Sequence, residues 1–157
     1  MSDAECAVAV LRARGWTLAT AESLTAGRVA AAVADVPGCS DVLRGGVVAY
    51  QADVKVDLLH VPSRDAAAGV VSRAVAEAMA SGVRRRLRAD VGVATTGVAG
   101  PEPHAGEPVG SVWIAVSTPE GSVSEHLNLK GDRESVRAGT VQAAMALIVR
   151  TLGTTRE

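Results

Sequence analysis

The only tyrosine of this chain, Tyr50, stands five positions ahead of Lys55, one of only two lysines; the other is Lys130. Positive charge elsewhere comes from arginine, and phenylalanine is absent. Arginine stays protonated in proteins, whereas a desolvated lysine can give up its proton. Lys55 is therefore a candidate base, and Tyr50 a candidate proton relay or clamp beside it. The plainer alternative is a solvated lysine next to a half-buried strand residue. A lysine base needs a nucleophile, and Ser-Lys pairs are a recognised variant of the serine-hydrolase arrangement. Ser23 suits that part, because it lies just after an apolar run and just before an alanine-rich one. Backbone N–H groups near Leu24 and Thr25 would then form an oxyanion hole. Ser23 is equally explained as a helix N-cap, the commoner use of serine at that position.

Two more segments carry polar or conformationally free residues. Thr95, Thr96, Gly97 and Gly100 open a turn in which hydroxyls can bond a ligand and glycines let the backbone approach it. Gly27 offers the same freedom after Ser23. Arg133 and Arg137 stand at the start of the last helical pattern, where the helix dipole disfavours cations. They either hold something acidic, a phosphate above all, or pair with Asp132, Glu134 or a partner subunit.

The elements that must position these groups follow from periodicity. Residues Ala4 to Arg14 read as a helix, Trp16 to Ala21 as a strand, and Glu22 to Gly27 as a turn into a helix ending near Asp35, before Pro37-Gly38. Val42 to Tyr50 reads as a second strand, whose paired glycines suggest a bulge or a close backbone approach. A short helix follows from Asp53 to Leu59. Val71 to Arg88 is the longest helical pattern, with Ser72 as its cap. Val91 to Thr95 is a buried strand. Ser111 to Ser117 and Ser122 to Leu129 form a hairpin across Pro119-Glu120-Gly121, and Arg133 to Leu152 is the last helix. Strands alternating with helices predict a layered α/β domain, and the late hairpin makes its sheet mixed. The loops after the strands, which hold Ser23, Tyr50 to Lys55 and Thr95 to Pro101, fall where open α/β sheets collect ligand sites.

Composition narrows the partners. The net charge is −1, with 48 % apolar and 21 % charged residues. No basic surface of the kind that binds nucleic acid is expected; the run Arg84-Arg85-Arg86-Leu87-Arg88 reads as charge complementing a helix C-terminus. Asp3 and Glu5 stand where a signal peptide needs cations, and no apolar run reaches bilayer-spanning length. A cytoplasmic protein without membrane contact is expected, with Cys6 and Cys39 reduced. His60, His104 and His126 lack zinc-ligand spacing, so neither metal nor cofactor is anticipated. An alanine- and glycine-rich domain of this size is expected to form a homo-oligomer.

Six segments, in order, are similar to one family. They are Thr20-Ala21-Glu22-Ser23-Leu24-Thr25-Ala26-Gly27, Asp35-Val36-Pro37-Gly38-Cys39-Ser40, Gly45-Gly46-Val47-Val48-Ala49-Tyr50, Thr96-Gly97-Val98-Ala99-Gly100-Pro101, Pro108-Val109-Gly110-Ser111-Val112-Trp113 and Gly131-Asp132-Arg133. Across nearly its whole length the chain resembles the CinA C-terminal domain family, a group that includes bacterial nicotinamide-nucleotide amidohydrolases. The resemblance implies a single domain with a three-layer α/β/α sandwich and a metal-free amidase. The implied reaction takes nicotinamide mononucleotide and water to nicotinate mononucleotide and ammonia. It places the nucleophile on Ser23, the tyrosine on Tyr50 and the lysine base on Lys55. The substrate loop falls on Thr96 to Pro101 and the Gly-Asp-Arg segment on Gly131 to Arg133. The chain departs from the family pattern at Ala26, usually glycine, at Pro103, where Glu102-Pro103 replaces an acidic-glycine pair, and at Ala52, where a polar residue is usual. These departures keep two other readings in view: a pyridine-nucleotide-binding regulatory module without turnover, and an amidase for another small amide.

Overall fold

In a computed structural model, residues 1–153 are described. Helix α1 (Asp3–Arg14) is followed by β1 (Leu18–Glu22), α2 (Arg28–Ala34), β2 (Leu43–Val48), α3 (Ala52–Leu59), α4 (Ser63–Ala68) and α5 (Arg73–Arg86). Strands β3 (Val91–Gly97), β4 (Ser111–Thr118) and β5 (Gly121–Asn128) and helix α6 (Arg133–Gly153) complete the chain. The sheet order is β2-β1-β3-β4-β5. The first three strands run parallel; β4 pairs antiparallel with β3, and β5 with β4.

This is the expected α/β/α sandwich with a mixed sheet. Helices α1, α2 and α6 cover one face through Val8, Leu11, Val29, Val136 and Ile148, which pack with Leu18, Val91, Val93 and Ile114 of the sheet. Helices α3 and α5 cover the other through Leu59, Val75, Met79 and Val83. Sheet residues on that second face are mostly alanine (Ala19, Ala21, Ala94, Ala115). Small side chains there let α5 lie close to the strands.

Boundaries moved where side chains reach distant partners. Strand β1 extends through Glu22, predicted to lie in a turn, because that carboxylate is consumed inside the fold. Strand β2 stops at Val48, two residues short of the predicted end, although the Ala49 N–H still donates to the Glu22 carbonyl of β1 at 2.9 Å. The paired glycines have two distinct uses. The β1–β2 register skips Arg44 between Leu43 and Gly45, and a Cβ on Gly46 would lie 2.2 Å from Thr20 Oγ1. Helix α4 was not predicted; its six residues are too few for a hydrophobic period to show. Ser72 caps α5 as expected, accepting the Val75 N–H at 3.2 Å. Three arginines end that helix, where its dipole favours cations.

Gly82 of α5 determines where α3 sits. A Cβ there would lie 2.0 Å from the Leu59 carbonyl oxygen at the end of α3. Alanine is favoured over glycine by about 1 kcal/mol in a helix interior, but overpacking costs about 1–3 kcal/mol. The clash involves backbone, which cannot rotate away, so packing decides. Gly82→Ala is expected to lower the thermal midpoint and, because α3 carries Lys55, to lower activity as well. Differential scanning calorimetry checks the first effect.

Candidate active site

Strands β1 and β2 are parallel neighbours, so the loops after them lie side by side. Ser23 follows β1 and Lys55 lies in the first turn of α3, which follows β2. The Lys55 side chain is long and points back toward the helix N-terminus, as helical side chains do. It is 1 % exposed and ends 3.0 Å from Ser23 Oγ. Nζ also donates to the carbonyls of Ala49 and Tyr50, each at 2.8 Å. Those carbonyls are free because β2 has already ended. A neutral amine has two N–H donors and one lone pair. The two carbonyls take the donors, and the lone pair is left for the Ser23 hydroxyl proton. Burial lowers the Lys55 pKa to about 8, and the positive end of α3 adds to that tendency. Lys55 is thus not the solvated charge of the plainer alternative.

Ser23 is not a helix cap. Helix α2 begins at Arg28, with Gly27 at its N-cap, and Ser23 lies on the wall of a cleft of about 310 Å³. The α2 N-terminus is not an oxyanion site either, since the N–H groups of Val29 and Ala30 donate to the Glu22 carboxylate at 2.7 and 3.1 Å. By contrast, among the described residues the Leu24 and Thr25 N–H groups make no backbone hydrogen bond.

The structure divides the remaining predicted residues. Leu24, Tyr50, Thr96, Gly97, Gly100 and Arg133 line the cleft with Ser23; Thr25, Gly27 and Arg137 do not. Tyr50 is half exposed, and its phenol accepts from Arg133 Nη2 at 3.0 Å. It is the Tyr50 carbonyl, not the phenol, that holds Lys55. Arg133 Nη1 donates to the Gly100 carbonyl at 2.6 Å, which places the guanidinium at the cleft. Arg137 is turned inward, with Nε donating to the Leu24 carbonyl at 2.8 Å. It braces the Ser23 loop and is not placed to meet a ligand. Neither arginine pairs with Asp132 or Glu134: Asp132 caps α6 through the Ser135 N–H, and Glu134 pairs with Arg28. Thr96 Oγ1 donates to the Val70 carbonyl, and Gly97 and Gly100 are required by packing, since a Cβ would lie 2.6 Å from Val112 and 2.7 Å from Val109 respectively.

Val70, Val71, Glu102 and His104 also line the cleft and were missed as site residues. Glu102 and His104 carried a weak signal, being charged or titratable side chains in the loop after the glycine turn. Ala26 is exposed and does not border the cleft, so its methyl does not narrow it. It does take a left-handed φ of 46°, which accounts for glycine at that place in the family pattern. Among the described residues, no group of three His, Cys, Asp or Glu side chains is placed to hold a metal ion, and no helix is long and apolar enough to cross a membrane. Cys6 and Cys39 are free thiols.

A three-layer α/β/α domain with a buried lysine on a serine, at the carboxyl ends of parallel strands, is the framework of this site. The chain belongs to the CinA C-terminal domain family, whose model matches residues 2–152. It is 47 % identical over 140 residues to a CinA-like protein of Frankia casuarinae, covering 88 % of this chain and 32 % of that protein. The chain spans about a third of the length of the curated relatives it matches. A CinA superfamily protein of Klebsiella pneumoniae superposes with a TM-score of 0.91 at 34 % identity, covering 98 % of this chain and 99 % of that one. A competence/damage-inducible protein of Agrobacterium tumefaciens superposes with a TM-score of 0.89, also at 34 % identity, covering 98 % of both chains.

Proposed function

We propose that this domain is a Ser-Lys amidase acting on nicotinamide mononucleotide, releasing ammonia and nicotinate mononucleotide. The observation that carries this reading is the 3.0 Å contact between Ser23 Oγ and a buried Lys55 whose pKa is lowered to about 8. Neutral Lys55 takes the Ser23 proton as Oγ attacks the carboxamide carbon. The Leu24 N–H group, at the cleft beside Ser23, stabilises the resulting oxyanion. Lys55 passes its proton to the amine nitrogen, the C–N bond breaks, and ammonia leaves. Water, deprotonated in turn by Lys55, attacks the acyl-Ser23 ester, the C–Oγ bond breaks as Lys55 returns that proton to Ser23 Oγ, and the acid leaves.

Arg133 is the cation proposed to meet the substrate phosphate, because it lines the cleft and only two of its five N–H donors are used within the protein. Arg133→Lys is expected to raise KM for the mononucleotide about tenfold or more, since a lysine cannot reproduce the guanidinium fork. KM for nicotinamide riboside, which lacks the phosphate, is expected to stay within a factor of two. Equal effects on both substrates would remove the phosphate role. The substrate assignment is tested by incubating chelator-treated protein with the mononucleotide and measuring ammonia and nicotinate mononucleotide. Equimolar formation of the two is expected. Tight binding of the mononucleotide by calorimetry, with no product at high enzyme concentration, would overturn the amidase and favour a binding module; turnover confined to other small amides would overturn the substrate.

A further inference from the structure

Glu22 is 1 % exposed, adjacent to Ser23, and has no part in the chemistry above. Four donors converge on it. Oε1 accepts the Thr25 hydroxyl at 2.7 Å and the Val29 N–H at 2.7 Å; Oε2 accepts the Ala30 N–H at 3.1 Å and the Thr20 hydroxyl at 3.3 Å. An ionised carboxylate only accepts, so all four bonds are satisfied at once. This fixes the sense of a longer chain. The single Thr25 hydroxyl proton is spent on Glu22, so the 2.8 Å contact between Thr25 Oγ1 and Thr95 Oγ1 must be donated by Thr95. Thr95 Oγ1 then offers a lone pair to the Ser23 N–H at 3.3 Å, which also donates to the Thr95 carbonyl at 3.0 Å. Thr20, Thr25 and Thr95 are all buried.

We infer that Glu22 is a positioning residue for the nucleophile, acting through the directed relay Ser23 N–H to Thr95 to Thr25 to Glu22. The relay holds the Ser23 N–H toward β3, away from the cleft. It leaves Oγ facing Lys55 and the Leu24 N–H free for the oxyanion. Glutamine is no substitute. All four partners of Glu22 are donors, so a glutamine NH2 in place of Oε2 would face the Ala30 N–H and lose that bond, and only in place of Oε1 would it face the Thr25 hydroxyl and reverse the relay. The inference deepens the amidase reading and rests on it for kinetic readout.

Glu22→Leu, which removes both acceptor oxygens at similar volume, is expected to lower kcat about 100-fold with KM within about threefold, the signature of a misplaced reacting group rather than of lost binding. Thr95→Val, which keeps the Glu22 contacts to α2, should lower kcat about tenfold, and Thr95→Ser should restore it to within about threefold. The Glu22→Leu/Thr95→Val double variant should be no slower than Glu22→Leu alone, because one relay is broken once. The rate of Ser23 labelling by a fluorophosphonate probe should follow the same ratios, and it serves as the readout should the mononucleotide prove not to be the substrate. If Glu22→Leu does not fold, the Thr95 pair carries the test. Folded variants with both kcat and labelling rate within twofold of wild type would overturn the inference, as would a serine variant at position 95 as impaired as valine.

Discussion

Lys55→Arg is expected to be folded and to lose about 1000-fold or more in kcat, in line with removal of a general base. Arginine keeps the charge and the donors but cannot be deprotonated, so it cannot receive the Ser23 proton. Lys55→Met should be equally inactive and should separate catalysis from stability. Relieving the amine of burial favours methionine, whereas leaving the buried Ala49 carbonyl without its donor costs about 1–3 kcal/mol, and the part-buried Tyr50 carbonyl adds less. The two terms are of similar size, so the thermal midpoint at pH 7 should move by only a few degrees. The pH dependence follows from the same residue. Its folded pKa is about 8 against 10.5 for the free side chain. Between those values the unfolded chain holds a proton that the folded one has released, so stability rises with pH in that window. Below pH 8 both states are protonated and the cost of burying the cation is fully present. Lys55→Met should lack this rise, which pH-resolved thermal unfolding of the two proteins would show. Activity should climb through the Lys55 pKa, kcat/KM increasing with pH across pH 8 and levelling about one unit above it. An activity that falls as pH rises from 6 to 8 would assign the base elsewhere.

Ser23→Ala is the second large effect expected, a loss of about 1000-fold or more. The substitution leaves a methyl at a residue that is 7 % exposed and holds no helix cap. Loss of the hydroxyl leaves the Lys55 amine bonded to two carbonyls, and the fold should persist within about 1 kcal/mol. Calorimetric stability beside an end-point ammonia assay checks both halves. A variant that retains a tenth of the activity would leave water, rather than Ser23, as the attacking group.

The layered architecture was legible because it rests on local periods: the apolar helical faces, the β-branched run of β3 and the turn at Pro119. The meeting of Ser23 with Lys55 was legible only as chemistry, a serine in want of a base and a lysine kept among arginines. Adjacency of β1 and β2 in the sheet, a long-range outcome, brings residues 32 positions apart to 3.0 Å. Glu22 shows the limit most plainly. Its type suggested a turn, and nothing local could reveal that its partners would be the N–H groups of Val29 and Ala30 and the hydroxyls of Thr20 and Thr25. Arg137 shows the converse: two arginines at one helix start looked interchangeable, yet one helical turn sends the first to the cleft and the second onto the Leu24 carbonyl. Tyr50 was singled out for its phenol, whereas the bond to Lys55 comes from its backbone, which a side-chain reading does not weigh.

The measurement that bears most directly on the Ser-Lys mechanism is intact-mass analysis of acid-quenched protein, in excess over nicotinamide mononucleotide, during a single turnover. A transient covalent adduct with the mass of the acyl group, mapped to the peptide containing Ser23 and missing from Ser23→Ala, is predicted. Product formation at the same rate with no adduct, in both proteins, would contradict it.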